Sequence, residues 1–187
     1  QQNFLQLNSS KTESYFSWHT KPGPVIPHNH ITFSGQNIPL STAVTNLGVR
    51  FDRHLTFDTH IKHLCKTSFY HLRNIAKLRP TLSLSDAEQL VHAFVSSRLD
   101  YCIALLIGTP SGSLQKLQYV QNSAARILMR VRKYNHITPV LHSLHWLPVS
   151  FRIEYKIALL THNASTGTLL HTSNNYSHHK PPHATSV

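Results

Sequence analysis

Between Asp58 and Ala164 apolar residues recur every three or four positions, whereas before Asp58 they fall in short runs broken by turn residues. The first pattern predicts helices with one buried side. After Asp58, a suitable N-cap, come Ile61, Leu64, Cys65, Ser68, Leu72 and Ile75, and Pro80 ends the helix. Ser85 and Glu88 then have the spacing of a capping box. Behind them runs the stripe Ala87, Leu90, Val91, Phe94, Val95, Leu99, Cys102 and Leu106, which predicts one helix up to the break at "GTPSGS". A third helix is expected from Leu114 to Arg132, with Leu114, Leu117, Ala124, Leu128 and Val131 inward. Thr138 should cap a short helix with Pro139 at its first position. "HWLPV" interrupts, and a last helix spans Ser150 to Ala164.

The N-terminal part reads differently. Residues 3 to 18 suggest two strand-like pieces around the polar "LNSSKT", and "HTKPGPVIPHNH" is a proline-rich loop. "ITFSGQNIPL" predicts a hairpin turning at Ser34 and Gly35, and "AVTNLGVRF" a further strand. The expected fold class is therefore α+β: a small antiparallel β region in residues 1–56, then a mainly α-helical bundle in 57–164. After Gly167 the periodicity dissolves into His, Thr, Ser, Asn and Pro, so 165–187 is expected to be a disordered tail, a loss of pattern that would fit a change of reading frame.

Charge changes the picture more than length does. The 187 residues carry 18 Lys and Arg against 7 Asp and Glu, a formal charge of +11. Thirteen of the 18 basic residues and five of the acids lie between Arg50 and Lys133, so this segment alone holds +8. Such an excess favours a polyanionic partner, with solubility alone as the plainer explanation. On the first helix Lys62, Lys66, Tyr70, Arg73 and Lys77 step by four, four, three and four, which places them on the side opposite the apolar stripe. On the third, Asn122, Arg126, Arg130 and Lys133 step likewise. Cations about 6 Å apart suit a phosphate backbone, and Tyr70 suits a sugar or base.

Other chemistry is weaker. Asp52 and Asp58 stand six residues apart, but turn and cap roles account for both, and no catalytic residues are assigned. His136, His142 and His145 lack the spacing and partners of a zinc site, so no metal site is expected. "HNH" at 28–30 only spells the name of a nuclease motif. The two cysteines, Cys65 and Cys102, sit in helical apolar patterns and read as buried thiols of an intracellular protein, nuclear or cytoplasmic. No run of 18 apolar residues predicts a membrane span, and no leader pattern opens the chain. It begins at Gln1, which reads as a piece of something longer.

Five blocks in series carry a resemblance: "FLQLNSSKTE", "TNLGVRFDRHLTFDTHIKHLCK", "SRLDYCIALLIG", "LQYVQNSAARIL" and "HITPVLHSLHWLPVSFRIEYKIALLT". Together, over residues 1 to 164, they resemble the C-terminal part of reverse transcriptases from non-LTR (LINE-type) retrotransposons. The resemblance implies that "LNSSKTE" is the end of the palm, with Lys11 at the family's lysine position. It implies that "NLGVRF" is the primer-grip hairpin, with Leu47, Gly48 and Val49 as primer-grip residues, and that the helices are the thumb holding a template–primer duplex. Family catalysis uses magnesium on an Asp-Asp hairpin, and no Asp-Asp occurs in this sequence. The expectation is thus a fragment of an RNA-directed DNA polymerase that grips RNA/DNA template–primer, holds no cofactor itself and lacks its fingers and most of its palm. The alternatives are a non-enzymatic nucleic-acid-binding module and a relic without function.

Overall fold

The computed structural model describes residues 12–15, 30–33 and 35–166, so Lys11, most of the first strand-like region and 167–187 lie outside the described residues. It is an α+β fold: two antiparallel hairpins precede a set of helices.

Strands β1 (His30–Phe33) and β2 (Gln36–Pro39) pair with Phe33 opposite Gln36, which puts the turn where the glycine predicted it. Ser14 bridges to Leu40 beside them. "AVTNLGVRF" is not one strand. It folds back on itself as β3 (Ala43–Asn46) and β4 (Val49–Asp52), joined by Leu47 and Gly48. Both turn residues have positive φ, 47° and 80°, the geometry that matches the twist of a two-residue hairpin. Gly48 adopts it freely. Leu47 does so under strain, with its side chain 82% exposed, and the Tyr101 hydroxyl donates to its carbonyl at 2.7 Å. Val49 turns the other way and is buried in the core.

Helix α1 (Asp58–Leu78) buries Ile61, Leu64, Ser68, Leu72 and Ile75, as its period predicts. Its N-cap, however, is Phe57, in the left-handed region, and Asp58 is the first helical residue. Phe57 is drawn into the core by apolar contact and meets Phe51 of β4 edge-on at 5.8 Å. Asp58 instead accepts a hydrogen bond from the Ser113 hydroxyl at 2.8 Å, tying the start of α1 to the next long helix.

The expected second helix is interrupted twice. It begins two residues early as α2 (Leu84–Val91), with Ser83 as N-cap accepting from the Asp86 N–H at 3.1 Å. Ser85 and Glu88 are therefore not the capping box, because "SLSD" offers an equivalent spacing one pair earlier. A π-turn at His92–Ser96 leads into α3 (Ser97–Asp100). Its cause is visible in the pattern: Ala87, Val91, Val95 and Leu99 are all buried at successive four-residue steps. In an unbroken α-helix that set would drift by about 120° around the axis, and one extra residue in a wide turn cancels most of the drift. Phe94 falls outside this register and is exposed. The chain breaks at Cys102, in the left-handed region, before a short 3₁₀ turn at Ile103–Leu106. Cys102 is therefore exposed, and Cys65 is only half-buried, so neither thiol sits in the core as expected.

Helix α4 (Ser111–Met129) packs along α1 through Leu117, Val120, Ala124 and Leu128, all fully buried. Helix α5 (Thr138–Ser143) starts with Thr138 inside it and Ile137 as N-cap, without the side-chain cap expected of Thr138. Helix α6 (Val149–Ser165) follows. The irregular segment before it is fastened by α4: Gln121, 2% exposed, donates to the Leu147 carbonyl at 2.8 Å, and Gln118 accepts from the Val149 N–H at 2.8 Å. These amides satisfy a backbone that no helix or strand pairs. Arg152 adds a two-pronged bond to Asp100 at 2.7 and 3.0 Å. On its outer side α6 leaves Phe151, Tyr155 and Leu159 exposed, each four residues from the next.

Candidate nucleic-acid interface

The exposed side of α1 forms one wall of an open groove of about 700 Å³. Lys62, Lys66, Tyr70 and Arg73 line it together, as their spacing predicts. Lys77 is exposed in the last turn of α1, beyond the lining. The other wall brings a cation that helix periodicity does not reveal: Arg50 of β4. The β3–β4 turn folds β4 against the start of α1, and the Arg50 N–H donates to Nδ1 of the buried His60 at 3.4 Å. No acidic residue lines the groove.

A smaller hollow of about 310 Å³ shares His63 and Thr67 with it and is closed by Gly48, Tyr101 and Arg98 of α3. The turn at Gly48 thus borders a hollow that adjoins the cationic groove. Leu47 points outward at the tip, whereas Val49 belongs to the core. Helix periodicity does not reveal Arg98 either; it lies in the apolar-looking "HAFVSSRLDY", one turn after Phe94 across the π-turn.

The imidazoles register the resulting field. His63 lies below its ordinary value, first through burial and then through Arg50, Arg98 and Lys66. His60 is lowered by burial, then by His63 and Arg50. His71, which stacks on Phe94 at 5.0 Å, is lowered by burial and by Arg98. The consequence for folding has a definite sign. Above pH about 6.5 these rings are neutral in both folded and unfolded chains, and they contribute no pH dependence. Below it the unfolded chain binds protons that the folded chain resists, so stability falls as pH drops through that value. Protonation at His60 Nδ1 would also turn the acceptor of the Arg50 N–H into a donor. Thermal melts should therefore show a lower midpoint at pH 5 than at pH 7.5. The fall should be shallower in His60→Asn, whose amide oxygen keeps the acceptor without titrating.

The second expected basic face is not one continuous helix face, although Arg126 and Arg130 line one hollow of about 340 Å³ with Arg79. Helix α4 ends at Met129, and Arg130 takes left-handed geometry outside it. Lys133 is exposed in the following turn. Arg130 donates to the carbonyls of Arg79 and Pro80 at 2.8 and 3.3 Å. Asn122 accepts from Gln118 at 2.8 Å, inside the network that holds the 147–149 segment. The Arg126 Nη2 reaches the Asn135 carbonyl at 3.4 Å, while its Nε is buried. Helix termination and local hydrogen bonding thus set the geometry of Asn122, Arg126 and Arg130.

The two aspartates have separate local partners. Asp52 accepts from the N–H groups of His54 and Thr56 and from the Thr56 hydroxyl, at 3.2, 2.9 and 3.1 Å, which shapes the turn after β4. Asp58 holds Ser113. Among the described residues no three His, Cys, Asp or Glu gather as metal ligands, and no helix is long and apolar enough to cross a membrane. The chain matches none of the protein-family models, curated proteins or solved structures with which it was compared.

Proposed function

We propose that this chain is a template–primer-gripping part of a reverse transcriptase of the non-LTR retrotransposon type, and that it performs no polymerisation by itself. The observation that carries this reading is the groove in which Arg50, Lys62, Lys66 and Arg73 surround Tyr70 with no acid among them. Four cations on a concave wall neutralise phosphates and release counterions, and an exposed tyrosine ring among them packs on sugar or base. The hairpin turn at Leu47 and Gly48, beside a hollow that adjoins that groove, supports the assignment of a primer-steering role to it. The reaction's carboxylates and magnesium belong to another part of the polymerase, as do its fingers and most of its palm.

A non-enzymatic nucleic-acid-binding module is the second reading. It is favoured because the groove is built entirely from residues 50–73. A relic without function is the third, favoured by the exposed Phe151, Tyr155 and Leu159 stripe, which suits a face that packs on a further part of the polymerase. The test has two arms. Titration of an RNA–DNA hybrid into isotope-labelled chain should shift the amides of α1 and β4 and leave α5 and α6 unmoved. Labelled dNTP should not be incorporated on a primed RNA template. Shifts confined to α5 and α6 would overturn the groove assignment, and incorporation above a heat-killed control would overturn the non-catalytic one.

A further inference from the structure

On its other flank, toward α4, helix α1 borders a second hollow of about 530 Å³. Its walls are Phe69 and Tyr119, whose rings meet at 5.8 Å and 51°, together with Cys65. The Cys65 thiol is pushed up by burial, so it is a neutral wall and not a reactive one. Lys62 and Lys116 stand at the rim with Gln115, and no acid lines this hollow either. Tyr119 is 58% exposed although its neighbour Val120 is fully buried. Lys62 lines both the hollow and the cationic groove, so the two adjoin at the start of α1.

We propose that this hollow holds an unpaired base of the same nucleic acid whose duplex part lies in the Arg50–Arg73 groove. This inference rests on the nucleic-acid reading of that groove. An apolar protein side chain would fill the aromatic part but leave two ammonium groups facing it without counter-charge. A nucleotide matches both: its base packs on the Tyr119 and Phe69 rings, its phosphate lies between Lys62 and Lys116, and Gln115 offers an amide to the base edge. The ligand is thus a duplex with a single-stranded extension, the strand crossing α1 at Lys62.

The experiment uses the full chain and two RNA–DNA hybrids, one blunt and one with a short single-stranded extension carrying 2-aminopurine at its first unpaired position. The extension should tighten binding about tenfold, the effect of one stacked base, and 2-aminopurine fluorescence should be quenched. Tyr119→Ala should lose the tenfold gain and the quenching yet bind the blunt hybrid as wild type does. Tyr119→Phe should retain both. Wild-type binding of the blunt hybrid with no gain from the extension overturns this inference and leaves the groove standing. Equal weakening of both hybrids by Tyr119→Ala overturns it too, and binding of neither hybrid by the wild type overturns the inference and the groove together.

Discussion

With Lys62, Lys66 and Arg73 all replaced by alanine, the chain binds an RNA–DNA hybrid about two to three orders of magnitude more weakly than wild type at ~0.1 M salt. The magnitude follows from counterion release. Each phosphate contact contributes about 0.7–0.9 to the slope of log affinity against log salt, so at ~0.1 M it is worth roughly five- to eightfold. Three contacts multiply. The loss should be the same for any sequence, because phosphates carry no sequence information. The three side chains are exposed on α1, and alanine favours a helix, so the variant should fold and melt like wild type. Anisotropy titrations with a labelled hybrid, paired with circular dichroism melts, check both halves. A sequence-specific loss would point to base reading instead, and an unchanged affinity would remove α1 from the interface.

Arg79→Met destabilises the fold by about 2–4 kcal/mol, although Arg79 touches no candidate ligand. A helix leaves its last carbonyls without partners. Here two helices solve that for each other. The Arg79 guanidinium, at the end of α1, donates through Nε and Nη2 to the Leu128 carbonyl of α4 at 3.0 and 2.7 Å, and through Nη1 to Leu82 at 3.0 Å. Arg130, past the end of α4, donates back to the Arg79 carbonyl. The rigid fork of arginine suits this geometry, and methionine keeps only the apolar stem. The part-buried Leu128 carbonyl then loses both donors, whereas Arg130→Met, at a more exposed site, should cost about 1 kcal/mol. Urea unfolding followed by circular dichroism measures both. A loss under about 0.5 kcal/mol for Arg79→Met would show that the clasp adds little. The folded Arg79→Met chain should still bind the hybrid, since Arg79 lies outside the groove.

The periodic helices were legible because burial is read directly from three- and four-residue steps. Helix α1 has the extent, apolar face and cationic face that its pattern predicts, and α6 begins and ends within one residue of its expected limits. What sequence could not show were choices between equivalent local signals. Ser83 and Ser85 both offer a hydroxyl three residues before an acid, and packing selects the first. The stripe from Ala87 to Leu106 looks continuous, yet four-residue steps sustained over three turns already hint at the wide turn that accommodates them. Arg130 continues a helical spacing on paper, but its guanidinium ends up closing the end of α1.

The candidate site was half legible. The α1 wall followed from spacing alone. Arg50 and Arg98 come from a strand and from another helix, and only the turn at Leu47 and Gly48 and the packing of α3 beside α1 bring them near His63. Tyr119 was hidden for a related reason. One-dimensional periodicity places it next to the core face of α4, and its ring becomes a surface only through its contact with Phe69.

The most direct test of the central claim is the salt dependence of hybrid binding by the wild-type chain, measured by anisotropy from about 50 to 300 mM monovalent salt. Four groove cations predict saturable binding with a log–log slope of about −3 to −4, reduced by about two to three units in the Lys62, Lys66 and Arg73 variant. A flat slope, or binding that never saturates and sediments as aggregate, would contradict the groove as a nucleic-acid grip.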